Sequence, residues 1–160
     1  MWPRRRKFRL VARTILLVDD DPDIRALLGE YLTGLGYVIY AARDGKHALQ
    51  VLSHIDAPDL ILLDYKMPVM NGSQFLARKR WNPRLRCIPV VLLSAWTREW
   101  SGTKLGAVEV LSKPVDLERL TKLVERICAG ASSIRVRARA ADSFRRIARR
   151  PPETPAAAGP

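Results

Sequence analysis

Six polar side chains stand out in this 160-residue chain because each closes or directly follows an apolar run. Asp19, Asp20 and Asp21 follow Thr14 to Val18, and Asp64 ends the run from Asp59 to Leu63. Ser94 ends Val90 to Leu93, and Lys113 lies just past Val108 to Leu111. Carboxylates brought together without a cation repel and raise one another's pKa, so such a group calls for a hard divalent ion and a nearby ammonium. Lys113 supplies the ammonium. Oxygen donors without His or thiolate favour Mg²⁺, or Mn²⁺, over zinc or copper. A carboxylate beside a divalent ion, an ammonium and a Ser hydroxyl can attack phosphorus while its neighbours neutralise the equatorial oxygens.

The elements that must position these groups follow from the hydrophobic period, which switches repeatedly between residues 14 and 130. Thr14 to Val18 has strand length and no alternation, whereas Ile24, Leu27, Leu28, Tyr31, Leu32 and Leu35 form the stripe of an amphipathic helix. Asp21 can cap that helix, Pro22 suits its first position, Asp23 faces its positive end, and Gly34 and Gly36 stop it. The alternation predicts a strand over Tyr37 to Ala41, a helix over Asp44 to Ser53 and a strand over Asp59 to Leu63. It then predicts a helix over Ser73 to Arg80, a strand over Val90 to Leu93 and a short helix within Thr97 to Leu105. A strand over Val108 to Leu111 and a helix over Leu117 to Ile127 complete five βα units. Strands apolar along their whole length belong to a parallel sheet covered on both faces. The expected fold is a doubly wound α/β domain, in which functional groups gather beyond the carboxyl ends of the strands.

Taken together, these residues resemble the receiver domains of two-component response regulators. Ile15-Leu16-Leu17-Val18-Asp19-Asp20-Asp21 resembles the opening strand with its acidic pair. Asp59-Leu60-Ile61-Leu62-Leu63-Asp64-Tyr65-Lys66-Met67-Pro68, followed by Asn71-Gly72, resembles the phosphoacceptor strand and loop, and Ser94-Ala95 and Lys113-Pro114 complete the set. The resemblance covers about residues 14 to 128 and implies a flavodoxin-like, five-stranded parallel sheet of order 2-1-3-4-5. It implies that Asp64 forms an aspartyl phosphate. Asp20, Asp64 and the backbone carbonyl of Lys66 would bind the metal directly, with Asp19 in support mainly through water. Ser94 would hydrogen-bond a phosphoryl oxygen, Lys113 would pair with the phosphoryl group, and the Lys113-Pro114 bond would be cis. Asp21 is assigned to the helix cap. The partners implied are a sensor histidine kinase or phosphotransfer protein and a downstream protein of unknown identity. A haloacid-dehalogenase-like phosphatase is disfavoured, because its Asp-x-Asp motif needs a larger chain.

The sequence departs from the family at two places. Val110 stands where the last strand usually carries an aromatic residue, so it offers no ring to swing inward. Ser94 to Lys113 spans 19 positions, which is short and predicts an abbreviated or irregular fourth helix. Trp96 and Trp100 fall there, as either a partner surface or packing over that helix, and Trp96 is placed to shield an aspartyl phosphate from water.

The net charge of +12 suggests nucleic-acid binding until it is divided along the chain. Residues 1–13, a basic arm, carry +6, and residues 131–160, an Arg-rich then Pro/Ala-rich tail, carry +5. The domain between them, residues 14–130, carries +1. The tail is too short for a helix-turn-helix, so no DNA-binding output domain is expected. The basic ends offer a second reading, a phosphate-independent receiver scaffold that contacts nucleic acid or acidic membrane. Cys87 and Cys128 make no metal or disulfide pattern and are expected as small buried hydrophobes in a reducing cytoplasm. His47 and His54 are expected on or after the second helix, away from the acidic group. No apolar stretch approaches membrane-spanning length, and Arg9 and Arg13 interrupt any export signal after Arg5-Arg6.

Overall fold

The computed structural model describes residues 12–95 and 106–130. Trp96, Trp100, the short helix expected within Thr97 to Leu105, most of the basic arm and the whole tail lie outside the described residues.

Strand β1 is Thr14–Val18, followed by helix α1 at Pro22–Gly34, β2 at Val38–Ala42, α2 at Gly45–His54 and β3 at Leu60–Asp64. Helix α3 is Gly72–Trp81, β4 is Val90–Ser94 and β5 is Glu109–Ser112. Residues 117–130 are helical and form α4. All strand pairs are parallel, in the order β2-β1-β3-β4-β5. This is the doubly wound arrangement expected from the unbroken apolar strands.

Strand residues alternate between two separate cores. Leu16, Val18, Ile61, Leu63, Val90 and Leu92 pack with Ala48 and Leu52 of α2 and with Phe75 and Leu76 of α3. Ile15, Leu17, Leu60, Leu62, Val91 and Leu93 pack instead with Leu28 and Leu32 of α1 and with Leu120 and Val124 of α4. Both faces of β1, β3 and β4 are therefore dry, which is why those strands read as continuous hydrophobic runs.

The helix starts follow from capping side chains, of which Asp21 was expected. Asp21 Oδ1 accepts the N–H groups of Asp23 at 2.8 Å and Ile24 at 3.2 Å, with Pro22 in the first turn. Asp44 accepts the N–H of His47, Asn71 and Gln74 form a reciprocal capping box, and Asp116 accepts the N–H of Arg119. Gly36, at φ +92°, supplies the left-handed turn after α1.

Several boundaries differ from expectation by one residue, and the physical reason is clearest at Asp59. This carboxylate is buried and accepts the N–H of Thr14 at 2.9 Å and the guanidinium of Arg13 at 3.2 Å. It clamps the entrance of β1 rather than forming part of β3. The expected burial is borne out for Cys128 and corrected for Cys87. Cys128 is buried, but Cys87 is exposed because it lies on the turn before β4, one position ahead of Ile88, which takes the core position.

Candidate functional site

The parallel sheet carries β1, β3, β4 and β5 to one common end, and that end holds the polar residues. Asp19 leaves β1 with its N–H bonded to the Ala42 carbonyl at 3.1 Å, which fixes the turn against β2. Asp64 is the last residue of β3 and pairs in register with Leu93, one position before Ser94. Ser94 pairs with Ser112, and its carbonyl accepts the N–H of Lys113 at 2.9 Å. The Lys113-Pro114 peptide is cis.

Lys113 Nζ lies 2.7 Å from Asp19 Oδ2 and 3.0 Å from Asp64 Oδ1, and so joins the two buried carboxylates. Asp19, Asp20 and Asp64 each place one carboxylate oxygen within 4.8 Å of the others. Burial raises the Asp64 carboxyl above its ordinary range, Lys113 opposes that rise, and the charges of Asp19 and Asp20 add to it. Burial alone would lower the Lys113 ammonium, but its hydrogen bonds with Asp19 and Asp64 outweigh that effect and raise it. Lys113 is therefore held as a cation.

The donor set suits a small hard cation, since it consists of oxygens alone. Asp19 is already committed, with Oδ2 on Lys113 and Oδ1 accepting the Asp21 N–H at 3.0 Å. Asp20 is exposed, and Asp64 meets Lys113 through one oxygen only. An open cleft of about 450 Å³ adjoins these acids, lined by Asp20, Tyr65, Lys66, Met67, Pro68 and Asn71. Lys66 thus borders the same opening as Asp20 with its side chain exposed, while its carbonyl is the group the resemblance assigns to the metal.

Two features of this site were missed in the sequence. Arg25, in the first turns of α1, donates from Nη1 to the Asp19 carbonyl at 2.6 Å and steadies the acidic turn. Its only sequence signal is its place early in the helix that Asp21 caps. The other is the tightness of the loop after Asp64. Gly72 donates its N–H to the Tyr65 carbonyl at 2.9 Å, and a Cβ there would lie 2.9 Å from the Asp64 carbonyl and 3.0 Å from Tyr65 Cα. Both obstacles are backbone and cannot step aside, so Gly72→Ala is expected to cost about 2 kcal/mol and to slow phosphoryl uptake. Urea titration beside a phosphorylation time course checks this.

In the same loop Val69 holds φ +66° with its side chain 76 % exposed. That backbone region is costly for a β-branched residue and the side chain buries little. Val69→Gly is accordingly expected to raise the unfolding free energy by about 1 kcal/mol, read from the midpoint of chemical denaturation.

The histidines lie elsewhere: His47 and His54 both sit on α2, where His54 Nδ1 bonds the Gln50 carbonyl.

The chain belongs to the response regulator receiver domain family, whose model matches residues 15–125. An uncharacterized 14.6 kDa protein encoded in the sodA1 3′ region of Leptolyngbya boryana is 36 % identical over 122 residues, covering 74 % of this chain and 92 % of that protein. The structure of the chemotaxis response regulator CheY4 of Vibrio cholerae superposes with a TM-score of 0.67 at 31 % identity, covering 72 % of this chain and 98 % of that one. The receiver domain of the sensor histidine kinase PA1611 from Pseudomonas aeruginosa, solved with magnesium coordinated in its active-site cleft, gives 0.68 at 26 % identity, covering 74 % and 98 %. The chain spans only 25 % and 52 % of two other curated relatives.

Receiver domains are the phosphoacceptors of phosphorelay signalling rather than enzymes in the usual sense, and they bind Mg²⁺ at an acidic pocket. They interact with histidine kinases or phosphotransfer proteins. No helix among the described residues is long and apolar enough to cross a membrane.

Proposed function

We propose that residues 14–130 act as a phosphorylation switch in which Asp64 takes a phosphoryl group from a sensor histidine kinase or phosphotransfer protein in the cytoplasm. The observation that carries this reading is the Lys113 ammonium held within 3.0 Å of both Asp19 and Asp64 at the carboxyl end of a five-stranded parallel sheet. The Asp64 oxygen that does not meet Lys113 attacks phosphorus, the bond to the donor nitrogen breaks, and an acyl phosphate forms. Lys113 then transfers one hydrogen bond from Asp64 to a phosphoryl oxygen while keeping Asp19, and the Ser94 hydroxyl donates to another. Asp20, Asp64 and the Lys66 carbonyl would hold Mg²⁺, or Mn²⁺, with Asp19 behind them. A bound divalent ion would supply charge neutralisation at the phosphoryl oxygens. Asp19 suits an indirect role because both its oxygens already accept hydrogen bonds from the protein.

The output would be a change in protein contacts with a downstream protein of unknown identity. Val110, half-buried against the α2 and α3 side of the sheet, supplies no ring to relay the change. The Lys113 N–H bonded to the Ser94 carbonyl offers a backbone route instead. Incubation with acetyl phosphate and Mg²⁺, or with a histidine kinase, should give one phosphoryl adduct by intact mass, absent from Asp64→Asn. An adduct that persists in Asp64→Asn overturns the assignment.

A further inference from the structure

The near-neutral charge of the domain conceals a local excess at the pole opposite the acidic site. Between Asp64 and Glu99 the sequence has no acid, and residues 78–86 hold Arg78, Lys79, Arg80, Arg84 and Arg86. The first three complete the last turn of α3, where cations complement the helix dipole. Arg84 and Arg86 lie beyond the helix, so the dipole does not account for them.

The turn that carries them is well held. Leu85 is buried, the N–H groups of Leu85 and Arg86 bond the Asn82 carbonyl, and that of Arg84 bonds the Asn82 side chain. Buried Lys79 donates to the Arg86 carbonyl at 3.2 Å. This fixed turn presents Arg84 and Arg86 to solvent beside exposed Arg78 and Arg80, and none of the four enters an ion pair among the described residues. The acids at this pole are Asp56, Asp59 and Glu109 on the segments entering the strands, and Glu125 of α4, whose charge reaches Tyr37 just before β2. Of these, Asp59 is paired with Arg13 and Glu109 with Arg126.

Large apolar side chains are exposed at the same pole. Trp81, at the end of α3, is 85 % exposed, and Val108, just before β5, is 53 % exposed. Leu35 and Val38, around the start of β2, are 46 % and 42 % exposed. Strands β2 and β5 are opposite edges of the sheet, so these side chains border a face about 19 Å wide. Arginines that bind phosphates, with a Trp and aliphatic side chains spread across a broad face, match the boundary between lipid headgroups and acyl chains. Nucleic acid would favour successive rings for base stacking, which Leu35, Val38 and Val108 do not provide.

We propose that this pole, centred on Trp81, Arg84 and Arg86, docks the domain on an anionic lipid surface. Asp19, Asp20 and Asp64 stand at the far ends of the strands, so docking leaves the phosphoacceptor facing away from the bilayer and open to a kinase. This surface is separate from the acidic site and stands whether or not Asp64 is phosphorylated.

The test is flotation of the full chain with phosphatidylcholine vesicles, neutral or containing about 30 % phosphatidylglycerol, beside a single-stranded RNA titration. Binding should need the anionic lipid, weaken at least about tenfold in Arg84→Glu/Arg86→Glu, and weaken several-fold in Trp81→Ala. Melting curves and Asp64-dependent phosphoryl uptake should stay at parent values, which separates lost docking from lost folding. Vesicle binding unchanged by the double charge reversal but abolished by deleting residues 1–11 would overturn the proposal in favour of the basic arm. Binding to RNA without binding to vesicles, or to neither, would overturn it as well.

Discussion

Asp64→Asn protein should take up no phosphate and, in the absence of divalent metal, melt at a higher temperature than the parent. The gain follows from what burial does to this carboxyl. Its folded-state pKa lies above the ordinary value, through desolvation first and then through the charges of Asp19 and Asp20. A carboxyl raised in the folded state binds its proton more tightly there than in the unfolded chain. Stability is therefore lost as the pH climbs from the ordinary value of 3.8 through the raised one. An amide of the same shape removes that cost, and Lys113 keeps Asp19 at 2.7 Å. The advantage should reverse with metal. Mg²⁺ at a hundred times its dissociation constant should stabilise the parent by about 2.7 kcal/mol and the variant by far less. Scanning calorimetry with and without Mg²⁺ reads both effects, and equal stabilisation of the two proteins would remove Asp64 from the metal site.

The second large effect is expected at Lys113, in the opposite direction. Lys113→Met leaves Asp19, which has no solvent exposure, without its ammonium, and removes the contact that opposes the rise of Asp64. Breaking a buried pair from one side costs about 3–5 kcal/mol. The deficit should grow as the pH rises from the ordinary carboxylate value through the further-raised value of Asp64, and level off above it. Mg²⁺ should restore part of the loss by supplying the missing positive charge. Phosphoryl transfer should stay slow even with saturating metal, by about 10²-fold or more, because no ammonium meets the phosphoryl oxygens as charge develops on them. Single-turnover phosphorylation at several Mg²⁺ concentrations checks this, and a rate fully restored by metal would confine Lys113 to stability.

Much of the fold was legible because its signals are local. Asp21-Pro22 starts α1 through contacts within four residues, and the unbroken runs in β1, β3 and β4 reflect burial on both faces. The order of acids, Ser and Lys along the chain marked the candidate site because a parallel sheet must bring strand ends together. What escaped the sequence depends on distant neighbours. Asp59 looked like the start of β3, yet it clamps Arg13 and Thr14 across 45 or more positions. Cys87 looked like a core residue, yet the turn places it outside and Ile88 within. Arg25 carries no sign of the carbonyl it bonds.

The charge count shows the same limit. Composition assigned the basic character to the two ends, and counting by segment made the domain neutral. Yet neutrality of a sum says nothing about where the charges lie. Sequence alone determined which residue types stand at each strand end, since hydrophobic period and capping act over a few residues. Only the tertiary structure decided that Lys113 bridges Asp19 and Asp64, that Asp19 has both oxygens committed, and that the Asp19, Asp20 and Asp64 cluster and the exposed arginines of residues 78–86 lie at opposite poles. Those relations join residues far apart in the chain, and distance and burial set their energies.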